Sequence, residues 1–182
     1  LEFARLYVSL MSSALLEALN HEARDQAVGA FVRAMAMTAE LHDMETANHV
    51  GRVARISDVL AIDLRDNGGR SEINEVFLRD LKLAAPLHDI GKLSIPGAIL
   101  KKPGSLTQHE TAIVRLHCEL GAEIFSRLLQ DDLCMSFARM ATDVIMSHHE
   151  RFDGSGYPKA LHEEDIPLAA RIVAVADAYD AI

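Results

Sequence analysis

Residues 45–63 read ETANHVGRVARISDVLAID. Five apolar residues of this stretch, Val50, Val53, Ile56, Val59 and Leu60, fall on one side of a helix. They recur every three or four residues, which is the period of one face of an α-helix. The cluster Asp66-Asn67-Gly68-Gly69 that follows contains the residue types that end helices. We therefore predict an amphipathic helix over about residues 45–63, with its apolar face packed against the rest of the chain.

The same helical period continues through most of the chain, and alternating runs rich in Val, Ile and Thr are absent. A helix of about 20 residues is predicted to open at 71–74 and to carry His88 and Asp89 near its end. Residues 96–106 contain two prolines and two glycines and are predicted to form a loop. Thr107 and Glu110 have the spacing of a capping box at the start of the next helix. Further helices are predicted over residues 8–19, 27–41, 132–148 and 168–182. The pattern predicts an all-α fold.

The composition limits the classes of protein to consider. The chain has 182 residues, of which 49% are hydrophobic and 25% charged, as expected for one globular domain with or without an appendage. Its net charge of -9 repels DNA and anionic membrane surfaces. Apolar runs are too short for direct membrane insertion, and two cysteines suit a reducing, cytoplasmic compartment. A phosphate-bearing ligand would therefore need a local source of positive charge, such as a metal.

The histidines indicate where a metal could bind, since the chain has nine of them, about twice the ordinary usage. Five histidines and three carboxylates lie at predicted helix ends or on apolar faces. These candidate ligands are Glu45, His49, His88, Asp89, His117, His148, His149 and Asp177. A histidine at such a position alone is more often simply hydrogen-bonded, but the ensemble favours a metal site. Imidazole and carboxylate together suit iron or manganese.

Some residues near these candidates are interpreted differently. His21, His42, His109 and His162 lie in polar surroundings and are predicted to be on the surface. Cys118 is not expected to be a ligand, because neighbouring residues on a helix point about 100° apart.

The motifs in their order resemble one known family. HDIGK at residues 88–92, HHERFDGSGYP at 148–158 and IPLAARIVAVADAYDAI at 166–182 are similar to the HD-GYP family, a bacterial subset of the HD superfamily of metal-dependent phosphohydrolases. The segments ETANHV, LAAPLHDIGK, ILKKPGSLT and LHCELG fit the same pattern, so the resemblance covers about residues 40–182. It implies an HD-type helical bundle around a multinuclear metal site.

The resemblance also implies an activity, the hydrolysis of a cyclic dinucleotide, typically cyclic di-GMP, to the linear dinucleotide and in some members to GMP. By matching positions, His49, His88, Asp89, His117, His148, His149 and Asp177 would hold two iron or manganese ions. Glu45 matches a carboxylate that supports a third ion in some members. Asp89 and Lys92 would serve catalysis. The expected substrate contacts are Lys92, Lys102, Tyr157 and Arg171, although Tyr157 could instead pack on the bundle and Arg171 could pair with a nearby acid.

The remaining expectations concern domains and partners. Residues 1–40 are expected to form a helical linker or the foot of an upstream sensory domain, and residues 41–182 an HD-GYP catalytic domain that lacks its C-terminal segment. The Gly156-Tyr157-Pro158 turn is a candidate surface for a protein partner, and a homodimer is a further expectation. Two alternatives stay open: a weakly active or inactive HD-GYP module that binds partners, and a phosphohydrolase of mononucleotides, against which the GYP turn argues.

Overall fold

The computed structural model describes residues 23, 26–43, 48–126 and 135–182. The chain divides into two compact units, Leu1–Ala34 and Met35–Ile182. In the first unit, the described residues, 23 and 26–34, are helical. The prediction of a helix over residues 8–19 lies outside the described residues, and the predicted division at residue 40 stays a prediction.

The second unit is helical throughout its described part, apart from loops and one isolated bridge between Asp153 and His162. Helix α1 covers residues 35–43. The helices that follow are α2 (His49–Asp66), α3 (Glu75–Ala84), α4 (Gly97–Leu100), α5 (Gln108–Arg115), α6 (His117–Ser126), α7 (Met135–Ser147) and α8 (Leu168–Asp180). Short 3-10 helices form at Ala85–Leu87, Ile90–Ser94 and Glu163–Asp165. The predicted all-α fold is confirmed. Among the described residues, no helix is long and apolar enough to cross a membrane.

Helix α2 packs on α8 through a narrower face than the apolar pattern predicts. The buried positions are His49, Val53, Ser57 and Ala61, each four residues from the next. Val59, predicted to face inward, is 66% exposed. The small side chains of Ser57 and Ala61 allow a close approach of the neighbouring helix, and this contact decides which face is covered.

The helix predicted to carry His88 and Asp89 ends earlier than expected. Helix α3 stops at Ala84, and a 3-10 turn over Ala85–Leu87 follows. Pro86 lacks a backbone N–H and cannot continue the α-helical hydrogen bonding. His88 and Asp89 therefore lie in a turn between two 3-10 helices, not at the end of an α-helix.

Two further predictions concern the middle of the chain. The capping box is confirmed: the Thr107 hydroxyl accepts from the Glu110 N–H, and the Glu110 carboxylate accepts from the Thr107 N–H. The loop predicted over residues 96–106 is only partly correct, because α4 forms within it. Pro96 caps this single helical turn, so the proline begins a helix there.

A glycine contact brings the turn of Asp89 next to α6. A Cβ atom at Gly91 would collide with the backbone carbonyl of His117, and one at Gly121 would lie 3.0 Å from the Gly91 nitrogen and 2.7 Å from the Ile145 side chain. Two glycines therefore allow direct backbone packing between the second 3-10 helix and α6. This packing sets Asp89 beside His117.

Candidate metal centre

The first group of metal-ligating side chains consists of Asp89, His117, His148 and His149. One ligand atom from each lies within 4.8 Å of all the others. Asp89 Oδ1 is 3.2 Å from His117 Nε2 and 3.6 Å from His148 Nε2, and the two ring nitrogens are 3.5 Å apart. Neighbouring nitrogen and oxygen ligands of one ion, each about 2.1 Å from it, are separated by about 3.0–3.4 Å. The spacing of the first group is close to that of a coordination shell.

The second group consists of His49, His88 and Asp177. Asp177 Oδ1 is 3.4 Å from His49 Nε2 and 3.9 Å from His88 Nε2. Asp89 connects the two groups, because its other oxygen, Oδ2, lies 3.3 Å from His88 Nε2. The structure thus brings together seven of the eight predicted ligands. The eighth, Glu45, lies outside the described residues.

Backbone carbonyls orient three of the imidazole rings. In each ring the Nδ1–H donates to a carbonyl oxygen three or four residues earlier in the chain. The N···O distances are 3.0 Å for His88 to Ala85, 2.8 Å for His117 to Val114 and 3.1 Å for His148 to Val144. A carbonyl oxygen can only accept, so the proton is fixed on Nδ1 and Nε2 is directed at the cluster.

His49 is oriented instead by a side chain that the sequence reasoning missed. Its Nδ1–H donates to Asp180 Oδ2 at 2.7 Å, and Arg52 donates to both oxygens of the same carboxylate at 2.6 and 2.9 Å. Arg52 and His49 together lower the pKa of Asp180 to about 2. The available signal was the spacing of Asp180, three residues after Asp177 and on the same side of α8.

Two buried atoms test whether a cation fits between the groups. His88 Nε2 and Asp89 Oδ1 are buried and make no hydrogen bond. An unpartnered buried polar atom is unfavourable, and a cation between the groups would satisfy both. Their donor set of imidazole nitrogens and carboxylate oxygens fits a divalent metal site.

The pKa shifts express the same charge pattern. Burial alone would raise the pKa of Asp89, but the imidazoles of His88, His117 and His148 hold it well below its usual value. Burial alone would lower the pKa of His117, but Asp89 and Cys118 raise it to about 10. Burial and the neighbouring His148 lower the pKa of His149 to about 3. Asp89 therefore stays ionised and attracts a positive charge, which a cation can supply in place of a proton.

Lys92 lies at the edge of the first group. Its ammonium is 2.7 Å from Asp89 Oδ2 and 2.5 Å from Asp43 Oδ2. Asp43, which the sequence reasoning missed, fixes the lysine from α1 within the same unit. The lysine side chain is 14% exposed, so it is held inside the site.

Tyr157 forms a stack with two neighbours. Its ring lies on the His149 ring, with centroids 4.7 Å apart and planes 28° apart. The Arg115 guanidinium lies 4.6 Å from the centroid of the tyrosine ring. The tyrosine thus packs directly on a candidate ligand, beneath an exposed cation that the sequence reasoning missed.

The loop that carries Tyr157 is fastened by a buried acid. Glu150 is 5% exposed, and its carboxylate accepts from the backbone N–H groups of Lys159 at 2.7 Å and Leu161 at 3.1 Å. The Tyr157 N–H donates to the carbonyl of His149 at 3.3 Å. These bonds hold the turn against the end of α7.

The other predicted substrate contacts have different partners. Lys102 pairs with Glu110 of the capping box at 2.7 Å. Arg171 lies 3.7 Å from Glu164 and lines a groove of about 860 Å³ with Phe152 and Tyr179. Their roles as substrate contacts stay predictions.

The predicted surface histidines divide into three cases. His109 and His162 are exposed, as predicted, and His21 lies outside the described residues. His42 is partly exposed, less than predicted, because its Nε2 lies 3.0 Å from the Ile95 carbonyl oxygen.

Cys118 lies beside the first group and is not one of its four donors, and its exclusion as a ligand stays a prediction. The residue is fully buried, and its Sγ lies 3.4 Å from His117 Nε2. The angle of about 100° separates the directions in which two neighbouring side chains leave a helix, not their ends. The His117 ring is held back at the Val114 carbonyl, and its Nε2 lies within reach of the thiol.

Comparison with known proteins agrees with this geometry. The sequence profile of the HD domain family matches residues 19–182. The chain belongs to the HD domain family. The family predicted from the motifs is thereby confirmed, and the Asp89 that joins the two groups lies in the HD pair of this domain.

Curated relatives of this HD domain carry related names. It is 42% identical over 146 residues, 80% of its length, to a cyclic di-GMP phosphodiesterase of Thermotoga maritima, of which it covers 36%. It is 41% identical over 160 residues, 87% of its length, to a probable cyclic di-GMP phosphodiesterase of Vibrio cholerae, again covering 36%. It is 39% identical over 148 residues, 81% of its length, to a 3'3'-cGAMP-specific phosphodiesterase of the same organism, of which it covers 26%. The chain thus spans about a third of the length of these relatives.

Proposed function

We propose that this HD domain is a metal-dependent phosphodiesterase that hydrolyses a cyclic dinucleotide, cyclic di-GMP above all, to the linear dinucleotide, with GMP as a candidate second product, in bacterial second-messenger signalling. The observation that carries the proposal is Asp89, whose two oxygens face different groups of buried imidazoles. A carboxylate that bridges two cations is the usual centre of a site for phosphodiester hydrolysis. The names of the relatives support the choice of substrate.

The bound cations would lower the pKa of a water molecule and neutralise charge on the phosphoryl oxygens. Asp89 would hold the two ions at a fixed separation. Lys92, kept in place by Asp43 and Asp89, would donate to a phosphate oxygen or to the leaving group. We propose iron or manganese as the metals, two ions in the described donor groups and a third where Glu45 contributes.

The stack of Arg115 on Tyr157 supports a substrate contact near His149. An exposed guanidinium next to a metal site is well suited to bind a phosphate group through a bidentate pair of hydrogen bonds. Tyr157 would hold Arg115 in position and also shield the His149 ring. Lys102 and Arg171 stay proposed substrate contacts, and each would have to give up its acidic partner to bind phosphate.

The test is an assay of the purified protein, prepared without oxygen and loaded with Fe²⁺ or with Mn²⁺. We expect it to linearise cyclic di-GMP, with 3'3'-cGAMP as the competing substrate and product separation by chromatography as the readout. The Asp89→Ala variant should lose the activity. The matched control is Asp153→Ala, because the Asp153 side chain lies on the exposed loop and, among the described contacts, pairs only with Ser155 and Arg151.

A metal-loaded protein that binds two ions and cleaves neither substrate would contradict the enzyme proposal. The alternative, a weakly active HD-GYP module that acts through a protein partner, would then be the better account. We propose the Gly156-Tyr157-Pro158 turn as its contact surface and a homodimer as its form. A cytoplasmic location is proposed from the cysteine content.

A further inference from the structure

Two carboxylates share the lysine at the edge of the first group. The Lys92 ammonium is 2.7 Å from Asp89 Oδ2 and 2.5 Å from Asp43 Oδ2. The side chains of Lys92 and Asp43 are 14% and 15% exposed, so water screens their interaction only in part. The lysine is thus held between the carboxylate that joins the two donor groups and a carboxylate that belongs to neither group.

The Asp89 oxygen that the lysine contacts also faces the second group. This atom, Oδ2, lies 3.3 Å from His88 Nε2, which is buried and makes no hydrogen bond. A cation shared by Asp89 Oδ2 and His88 would therefore have the ammonium as a neighbour. Like charges repel strongly where little water screens them, and the negative charge of Asp43 offsets that of the lysine.

The end of α1 holds Asp43 in this position. The preceding residue, His42, has its Nε2 3.0 Å from the carbonyl oxygen of Ile95. Ile95 directly follows the 3-10 helix that carries Lys92. The helix end that bears Asp43 is therefore fastened to the segment on which its lysine partner lies.

We propose that Asp43 is a positioning residue for Lys92, which allows the ammonium and the cations of the metal centre to lie side by side. Asp43 holds the lysine and neutralises its charge, so that Asp89 Oδ2 stays available to the ion of the second group. Without the Asp43 charge, the ammonium draws more strongly on Asp89 and opposes that ion. The inference rests on the metal centre of the proposed function and is independent of which nucleotide is cleaved.

The first experiment is a calorimetric titration of the metal-depleted 182-residue chain with Mn²⁺. Asp43→Asn keeps the shape of the side chain and removes its charge. We expect it to lower the affinity for the ion of the second group by at least about tenfold, the lower limit for the loss of an outer partner in a metal site. Asp43→Glu restores the charge and should recover most of the affinity.

The matched control is Asp66→Asn. It removes an ion pair of similar length, 2.8 Å between Asp66 and Arg65, at the exposed far end of α2, and it should leave Mn²⁺ binding unchanged. Unchanged affinity in Asp43→Asn would overturn the proposal. So would an Asp43→Glu variant that binds Mn²⁺ no better than Asp43→Asn, because the effect would then not come from the charge.

The second experiment repeats the titration in the Lys92→Met background, to test whether Asp43 acts through the lysine. We expect Lys92→Met to bind Mn²⁺ at least as tightly as the unmodified chain. Adding Asp43→Asn to it should change the affinity by no more than about twofold, the scatter of independent substitutions. Equal losses from Asp43→Asn with and without the lysine would refute the positioning role.

Far-ultraviolet circular dichroism shows whether each variant is folded. If Asp43→Asn alone is unfolded, we expect the double variant to fold and to bind Mn²⁺, because both charges are then removed together. A double variant that stays unfolded would contradict the proposal. No nucleotide is present in either titration, so failure here leaves the phosphodiesterase proposal to its own test.

Discussion

The two donor groups are anchored in different ways. In the first group, His117 and His148 donate to backbone carbonyls, so their orientation is set by the helices themselves. In the second group, His49 donates to the Asp180 carboxylate, which Arg52 holds. Each group is buried apart from one partly exposed member, which is His149 in the first group and Asp177 in the second. In the second group, a backbone carbonyl also orients His88, but His49 depends on side chains that a single substitution can remove.

The largest effect is expected where the two groups join. Asp89→Ala removes the carboxylate that faces both groups. We expect the variant to lose both ions and its phosphodiesterase activity to fall by more than about a hundredfold. By contrast, His148→Ala should weaken metal binding at the first group only, and Asp177→Ala should weaken it at the second group only. Metal analysis by mass spectrometry measures the stoichiometry. Retention of both ions in Asp89→Ala would show that Asp89 does not connect the groups.

A more selective change should affect the second group alone. Asp180→Asn keeps the shape of the side chain but removes the charge that orients His49, so we expect affinity for the second ion to fall about 10–100-fold with the first ion retained. The measurement is a calorimetric metal titration. Asp66→Asn serves as the control, because Asp66 is an exposed acid at the far end of α2, the helix of His49, and pairs with Arg65. Equal losses from both groups would contradict the independence of the two anchors.

The third prediction concerns the backbone contact between Gly91 and His117, which supports the first group. At Gly91 a methyl group would collide with the His117 carbonyl. We expect Gly91→Ala to lower the free energy of unfolding by about 3 kcal/mol and to lower the affinity of the first group for its ion. Gly97→Ala is the control, since its nearest neighbour would be a His42 side-chain atom at 3.7 Å, an ordinary contact. Urea unfolding with and without metal measures both effects. Similar stabilities for the two variants would mean that the backbone contact is dispensable.

The smallest effect is expected far from both groups, at the capping box. Thr107→Ala should lower stability by about 1 kcal/mol with no change in metal stoichiometry.

Lys102 and Thr107 lower the pKa of Glu110 to about 2. A folded-state pKa below the unfolded value stabilises the protein at pH values above the ordinary glutamate pKa, and this contribution is lost as the pH falls toward 2. Thermal unfolding across this range should show a smaller acid dependence in Glu110→Gln than in the unmodified chain.

The helices and the grouping of the ligands were predicted well from the sequence, whereas the local conformation of individual turns and faces was not. The period of apolar residues is a property of one helix, so α2, α8 and the capping box at Thr107 could be read directly. Which residues of α2 are covered depends on α8, and so Val59 was assigned to the wrong face. The turn at His88 and Asp89 followed from Pro86, whose effect on the helix was underestimated.

The parts of the site that sequence reasoning missed share one physical reason. Asp43, Asp180 and Arg115 act through contacts with residues distant along the chain, namely Lys92, His49 and Tyr157. No periodic pattern predicts such pairs. Helix geometry also does not predict the contact of Cys118 with His117 Nε2, because the reach of a side chain depends on its rotamer and on its hydrogen bonds.

The tyrosine stacked on His149 gives the molecule an intrinsic optical signal. The chain has no tryptophan and three tyrosines, and the Tyr157 ring lies 4.7 Å from that of His149. Tyr179, in contrast, is 69% exposed. A paramagnetic ion such as Mn²⁺ bound through His149 would quench the emission of Tyr157 far more than that of Tyr179. Tyrosine fluorescence can therefore follow occupancy of the first group in real time, without a label.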